Sequence, residues 1–484
     1  MHILALDQGT TGSTALVINE KLQVVSKANR EFAQHYPQPG WVEHHLDEIY
    51  ASVLGAMGDA LSQAGVQGSD IAAIGVTNQR ETCGFWDDKG LGLAPAIVWQ
   101  CRRTAARMRE LEPQAAKIFK KTGLVVDAYF SGSKAEWLLR HVDGLRAKAE
   151  SGAAHFGTID SFLIHRLTGA HVTDVTNASR TMLFDIDALQ WDDELLAMFT
   201  VPRACLPSVV SSAEKVAVTR GVPLLPDGIP VAGIAGDQQA ALFGQACFEP
   251  GMAKCTYGTG AFMLQNLGAK RKDSQARLLT TVAWKVNGEV SYALEGSVFI
   301  AGAIVQWLRD GLGLIKSSAE VEKLAATVED SGGVTIVPAF AGLGAPYWRQ
   351  DARGVITGLT RGTTKAHIAR AALEAIALQN FDVLEAMQKD AGPLKLLRVD
   401  GGASVNDTLM QFQADILGVP LSRPQVVETT GFGAACLAAL GVGWFSDTQT
   451  IAKVWREAKR FTPAMGAADV SAHLARWHTA VAKA

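Results

Sequence analysis

The sequence has no block of lysine and arginine. Its 45 basic residues are spread among 48 acidic ones, for a formal net charge of -3. Neither a nucleic-acid backbone nor an anionic membrane surface is therefore indicated as a partner. No two cysteines stand at C-x-x-C spacing. The six present (Cys83, Cys101, Cys205, Cys247, Cys255 and Cys436) are scattered. That fits reduced thiols in a cytoplasmic protein better than a disulfide framework or a zinc site. Long apolar runs are missing too. Asp7 interrupts the N-terminal hydrophobic stretch, so no secretory h-region is expected. The longest uncharged stretch lies between Glu428 and Asp447 and is mostly Gly, Ala, Thr and Ser. It is too weakly apolar to span a membrane and reads as a buried helix of small residues. The eleven histidines show no metal-ligand spacing, and His44 and His45 read as surface polar residues. Two common nucleotide signatures, G-x-x-x-x-G-K-[ST] and G-x-G-x-x-G, do not occur.

What remains is an ordinary globular composition, 48% hydrophobic and 19% charged over 484 residues, long enough for two or three domains. The chain is organised around Asp7-Gln8-Gly9-Thr10-Thr11-Gly12, set between the apolar runs Ile3–Leu6 and Thr14–Ile18. Both runs have strand length, and a glycine-rich turn between strands lets a phosphate approach the backbone amides closely. Asp7 would aim a carboxylate at the same spot, where a magnesium ion is held. A plain hairpin with polar turn residues would look the same. Strands are expected near 2–7, 14–19, 22–29 and 71–76, with a shorter one at 96–99. Helices are expected near 47–64, 102–111 and 132–140, and another from Asp160 as N-cap.

The second half repeats this order. Strands near 254–257 and 261–264 flank Gly258-Thr259-Gly260, and strands at 279–284 and 289–294 flank Asn287-Gly288, a hairpin signal. A helix near 299–312, a strand at 334–337 and a long helix near 365–388 follow. A strand at 396–399 leads into Asp400-Gly401-Gly402 and a helix from Ser404 to about Leu417. Antiparallel strands followed by alternating helix and strand thus occur twice. The expected architecture is α/β, two domains of related design with a cleft between them. The join is placed near Phe248-Glu-Pro-Gly251, giving domains 1–247 and 248–484.

Three glycine-rich turns, at Gly9–Gly12, Gly258–Gly260 and Asp400–Gly402, each follow an apolar strand. Together they are suited to gripping one nucleotide from two sides, although such turns are common in any α/β protein. Asp237 closes the apolar run Ile229–Gly236. Spacing alone favours a helix N-cap there; a general base at a strand end is the functional alternative, and the two are compatible. Arg80-Glu81 also ends a strand. Adjacent opposite charges usually mean a solvated loop or a surface ion pair, but a polyhydroxylated substrate needs such a donor fork beside an acceptor. Trp99, Tyr129 and Phe262 are candidates for apolar walls, each equally suited to core packing.

With these residues in place, the chain resembles the FGGY carbohydrate kinase family, and within it the members that phosphorylate glycerol. Matching blocks run from Leu4–Thr11 to about Gly443. They include Pro39–His44, Ile74–Thr82, Ala96–Thr104, Tyr129–Gly132 with Lys134 and Trp137, and Thr173–Phe184. In the second half they include Gly233–Gly244, Thr256–Gly260, Gly342–Trp348, Ile356–Gly362 and Arg398–Ala403. The resemblance implies two ribonuclease-H-like domains of the actin/hexokinase/Hsp70 type. The first would carry glycerol and phosphate binding and the second nucleotide binding. The implied reaction is transfer of the ATP γ-phosphoryl group to a terminal hydroxyl of glycerol, in an enzyme that is a homo-oligomer, dimer or tetramer, with no membrane insertion. It implies Asp237 as general base, and Arg80, Glu81, Tyr129, Asp237, Gln238 and Phe262 as glycerol contacts. Thr10, Thr11, Gly12, Thr14, Thr259, Gly302, Gln306, Gly402 and Asn406 become nucleotide positions, and Asp7 and Asp237 magnesium positions. Several features depart from the family pattern. Thr14 stands where the family usually has a phosphate-contacting arginine, and Arg349 follows Tyr347-Trp348 where an aspartate is usual. Neither the glycine-rich fructose 1,6-bisphosphate loop, sought at Val218–Pro226, nor the phosphorylatable histidine loop is recognisable, so neither form of control is expected. The rival readings are a kinase for another small polyol or ketose, and a nucleotide-binding sensor without turnover.

Overall fold

The computed structural model describes residues 1–340, 342–349 and 351–484. Its first sheet is built around β1 (His2–Gln8), the apolar run of which is fully buried because strands flank it on both sides. β2 (Gly12–Asn19) pairs antiparallel with β1, and β3 (Val24–Glu31) antiparallel with β2. On the other side β4 (Ile71–Asn78) runs parallel to β1, and β5 (Pro230–Gly236) parallel to β4. A short strand, Ala217–Val218, closes that edge antiparallel to β5. Side chains of β1 alternate between two cores, as the pleat requires. Leu4 and Leu6 face helix α1 (Leu46–Ala64), which buries Ile49, Val53, Met57 and Ala60 at helical spacing. Ile3 and Ala5 face the opposite core. A small four-stranded sheet of Glu43–His44, Cys83–Trp86, Ala96–Ile97 and His155–Thr158 extends this half, and helix α2 (Ser131–His141) lies beyond it.

The second sheet has the same plan. β6 (Ala253–Tyr257) pairs antiparallel with β7 (Ala261–Gly268). The hairpin of β8 (Leu279–Val286) and β9 (Glu289–Val298) turns at Asn287-Gly288, both with positive φ, and β9 pairs antiparallel with β7. β10 (Leu397–Asp400) runs parallel to β6 and β11 (Leu421–Pro424) parallel to β10, with β12 (Glu457–Phe461) antiparallel at the edge. The orders β3-β2-β1-β4-β5 and β9-β7-β6-β10-β11 correspond strand for strand and sense for sense.

Each fifth strand feeds a helix. β5 leads into α3 (Asp237–Gly244) and β11 into the small-residue helix expected between Glu428 and Asp447, here Thr429–Gly441 and labelled α7 below. The helices numbered between them are α4 (Gly302–Gln306), α5 (Lys365–Ala391) and α6 (Asp407–Leu417). α7 belongs to the second half in sequence, but it covers the first sheet's open face, where Phe432, Ala435 and Leu437 join Ile3, Ala5 and Leu16 in one core. Its crossing with α3 is close enough that a Cβ on Gly433 would lie 1.9 Å from the Ala240 carbonyl oxygen, so only glycine fits there.

Several boundaries differ from the sequence expectation. The helix at 159–168 takes Thr158 as its N-cap; Asp160 lies inside the first turn, buried, and accepts from the hydroxyls of Thr158 (2.5 Å) and Thr173 (2.6 Å). The helix expected over 299–312 is α4 followed by a π-helical turn, Trp307–Gly311. That expected from Ser404 splits into a 3-10 turn, Gly402–Val405, and α6. His44 is not a surface residue: it is fully buried, hydrogen-bonded to Gln34 (2.8 Å), and burial pushes its imidazole down to about 3. His45 is exposed.

Candidate active site

The carboxyl ends of β1, β4 and β5 lie side by side, so the residues that leave them converge. Asp7 is the penultimate residue of β1, Arg80-Glu81 follows β4, and Asp237 opens α3. The Arg80 Nε lies 3.1 Å from Asp237 Oδ1. Gly236, not Asp237, is the N-cap of α3. A Cβ at position 236 would meet the Arg80 stem at 2.7 Å, so the missing side chain makes room for the guanidinium. With the cap role gone, the Asp237 carboxylate is partly exposed at the cleft, accepting from the Gln238 amide (2.7 Å).

Arg80 and Glu81 are buried rather than solvated. Glu81 takes a positive φ of 62°, an unfavourable backbone state for a side-chain-bearing residue that the packed surroundings must hold in place. Two residues the sequence reading did not single out complete the arrangement. Arg180 donates from Nε to Glu81 (2.6 Å) and from Nη2 to Glu295 (3.0 Å), and Arg80 donates from Nη2 to Glu295 (2.9 Å). Burial alone would raise the Glu295 carboxyl; the two guanidiniums overcome it and hold it at about 2. Burial raises Glu81, with Arg180 and Arg80 opposing. The one visible sequence signal for Glu295 is a carboxylate inside the apolar run Tyr292–Val298. For Arg180 no such signal exists.

A cavity of about 470 Å³ opens on these groups. Thr10, Thr11, Arg80, Glu81, Tyr129, Asp237, Gln238, Thr259, Phe262 and Gln306 all line it, together with Trp99. The three aromatics form a wall, with Trp99 edge-on to Tyr129 at 5.6 Å and to Phe262 at 6.4 Å between ring centroids. A second cavity, about 510 Å³, shares Gly258, Thr259 and Gln306 with the first and continues past Gly302, Gly402 and Asn406 between Val305, Leu373, Ile376 and Leu409. One cavity is thus ringed by charge and the other by apolar surface, and they meet over a glycine-rich turn.

The two phosphate-type turns are built alike: Gly9 N–H donates to Gly12 O (2.9 Å) and Gly258 N–H to Gly260 O (2.8 Å). The amides of Thr10 and Thr11 find no protein acceptor among the described residues, as an anion cradle requires. Asp7, Gly12 and Thr14 line neither cavity. Thr14 faces Asp7 across the β1–β2 pair and accepts from Asn29 (2.9 Å). Asp7 is pushed up to about 8 by burial and by the carboxylates of Asp237 and Glu428, with Lys27 opposing. Lys27, on β3 and paired with Glu428, brings a cation to the neighbourhood of the missing arginine. Arg349 stands apart, donating to the Ala484 carbonyl (2.5 Å).

Lys254 is a further group that spacing did not reveal. Fully buried on β6, it donates to Gln238 Oε1, to Thr256 Oγ1 (2.8 Å) and to the Phe262 carbonyl (3.3 Å). It thereby ties Gln238 of the first half to Thr256 and Phe262 of the second. Burial lowers its ammonium, with Asp400 and Asp237 opposing.

Comparison with known proteins agrees with this geometry. The model of the FGGY carbohydrate kinase N-terminal domain matches residues 2–244, and that of the C-terminal domain matches residues 253–442. The chain belongs to the FGGY family of carbohydrate kinases. Among its FGGY relatives, a glycerol kinase of Myxococcus xanthus is 57% identical, with 100% of this chain and 99% of that one covered. A glycerol kinase of Deinococcus radiodurans is 58% identical, with 100% and 97% covered. The structure of Plasmodium falciparum glycerol kinase with ADP superposes with a TM-score of 0.91 at 37% identity, covering 100% and 98% of the two chains. A xylulose kinase from Lactobacillus acidophilus, 21% identical, shares the fold with a TM-score of 0.86. The architecture is the ribonuclease-H-like pair of domains of the actin/hexokinase/Hsp70 type.

Proposed function

We propose that the chain transfers the γ-phosphoryl group of ATP to a terminal hydroxyl of glycerol, giving sn-glycerol 3-phosphate. The observation that carries this reading is the junction of the two cavities over Gly258–Thr259. It suits an adenosine held between apolar walls, with its phosphates directed toward Asp237. Full-length relatives called glycerol kinase support glycerol as the acceptor. The chain divides near 247/248 in this reading, glycerol and phosphates belonging to the first part and the nucleoside to the second.

Arg80 donates to glycerol hydroxyls, Glu81 and Gln238 supply acceptors, and Tyr129, Trp99 and Phe262 cover the carbon face. Asp237 takes the proton of the attacking hydroxyl as the new O–P bond forms. Positioning and charge neutralisation supply most of the acceleration in such transfers. Thr10, Thr11 and Thr259 flank the phosphates, while Gly302, Gln306, Gly402 and Asn406 hold the nucleoside; Gly12 and Thr14, outside both cavities, act only by shaping the β1–β2 turn.

Magnesium fits Asp7 and Asp237. No group of three metal-ligating side chains occurs among the described residues, but this ion needs only one or two carboxylates plus phosphate oxygens. A dication would also offset the burial, and the repulsion from Asp237 and Glu428, that raise Asp7. Once bound, it would neutralise charge on the transferring phosphate. The six cysteines are free and buried, and no helix among the described residues is long and apolar enough to cross a membrane. We take a cytoplasmic homo-oligomer, on the family resemblance, as its working form.

A panel of glycerol, erythritol, xylulose and gluconate, read by ADP release, tests the proposal. Glycerol should give the highest kcat/KM. A higher value for a larger polyol or a ketose would overturn the glycerol assignment, and ATP binding without ADP release on any acceptor would make the protein a sensor.

A further inference from the structure

Behind the cleft lies a third cavity, about 620 Å³, that shares no lining residue with the other two. It sits at the opposite end of α3 from Asp237, since Gly244, the last residue of that helix, forms part of its wall. One side is the β2–β3 turn of the first half; the other is the segment around β11 and residues 450–456 of the second half. Its size is that of a small-molecule site.

Its charge is one-sided. Lys21, Lys453 and Arg456 line it and no carboxylate does. None of the three forms an ion pair among the described residues; Arg456 donates only to backbone carbonyls. In a chain with more acids than bases, three cations around one hollow, with only Asp447 acting on Lys453 through space, make an anion trap. The floor is apolar and aromatic, with Phe432, Val454 and Trp455. Trp455 also carries the Arg398 guanidinium over its ring at 3.9 Å.

This wall is wired to the cleft. Trp455 Nε1 donates to Gln245 Oε1 (3.0 Å), and Gln245 Nε2 donates to Asp400 Oδ2 (2.6 Å). Asp400 is the residue before the Gly401-Gly402 turn of the apolar cavity.

We propose that this rear cavity binds a small organic phosphate, its phosphoryl group held by Lys21, Lys453 and Arg456 and its body resting on Phe432 and Trp455. Because the ligand touches both halves, and because its wall is bonded to Asp400, its presence changes nucleotide affinity in the cleft.

Phenyl phosphate is the probe and phenol the neutral control. Calorimetric titration of the full chain, with ADP and glycerol filling the cleft, should show saturable binding of phenyl phosphate and none of phenol. The Lys453→Ser/Arg456→Ser variant should keep its turnover without the probe and bind phenyl phosphate about tenfold more weakly for each cation removed. In the native chain, saturating phenyl phosphate should shift the KM for ATP, and the double variant should lose that shift. Trp455→Phe, which removes the indole donor, should still bind the probe but lose the shift. Absence of saturable binding with the cleft filled, equal affinity in the double variant, or equal binding of phenol would overturn the site. An unchanged KM for ATP in the native chain would overturn the coupling. The titration reads binding rather than turnover, so it stands or falls independently of the glycerol assignment.

Discussion

The two halves of the molecule share one strand order and a similar glycine turn, at Gly9–Gly12 and Gly258–Gly260, and differ in the side chains at the neighbouring strand ends. In the first half the ends of β1, β4 and β5 present Asp7, Arg80-Glu81 and Asp237. In the second half the corresponding ends of β6 and β10 present Gly258-Thr259 and Gly401-Gly402, and the one carboxylate among them, Asp400, turns inward to Gln245. One half therefore lines its cavity with side-chain charge, and the other lines its cavity with backbone and apolar surface. The division of labour comes from a few residues at equivalent positions rather than from topology.

That contrast can be broken. The largest effect is expected from Asp237→Asn, which removes the proton acceptor: turnover should fall roughly a hundred- to ten-thousand-fold, with ATP binding by titration nearly unchanged. Normal turnover would take Asp237 out of the role. Arg80→Ala leaves Glu295 with one guanidinium instead of two and should cost about 3–5 kcal/mol of stability. In steady-state kinetics it should raise the KM for glycerol far more than that for ATP; equal rises would make Arg80 structural.

His44 gives a pH test confined to the first half. A neutral imidazole with a folded value near 3 binds fewer protons than the unfolded chain below pH 6.5. Its contribution to stability is intact above 6.5 and drains away as pH falls toward 3, by about 2 kcal/mol at pH 5. Denaturant midpoints across that range should flatten in His44→Gln.

The mirror experiment belongs to the second half. A Cβ at Gly402 meets nothing within 4 Å, so Gly402→Val should fold and fill the apolar cavity. The KM for ATP should rise about tenfold, the equivalent of one lost charge-assisted contact, while that for glycerol stays put. The smallest effect is expected for Lys27→Gln. An exposed cation interacting through solvent is worth about 1 kcal/mol or less, so the KM for ATP should rise no more than a few-fold, with the difference vanishing at high salt.

Local pattern made much of this readable in the chain. Apolar runs such as Ile3–Leu6, the turn glycines and the small-residue helix after Glu428 are signals carried by neighbours in sequence. That Arg80, Tyr129, Asp237 and Phe262 line one cavity was readable only through family resemblance, because they come from separate elements. Arg180, Glu295 and Lys254 escaped because their meaning lies in partners distant in sequence, which neither spacing nor propensity encodes. His44 was misjudged for the same reason: its burial is decided by Gln34 and Gln79, not by the polar residues beside it. The cap assigned to Asp160 fell two residues late because Thr158 already had the extended backbone that an N-cap needs.

The position of α7 affects how the protein is made. Until Thr429–Gly441 has left the ribosome, the sheet completed by residue 236 keeps one oily face, Ile3, Ala5 and Leu16, open to water. Nascent chains of this protein should therefore stay sticky and protease-sensitive until translation is almost finished.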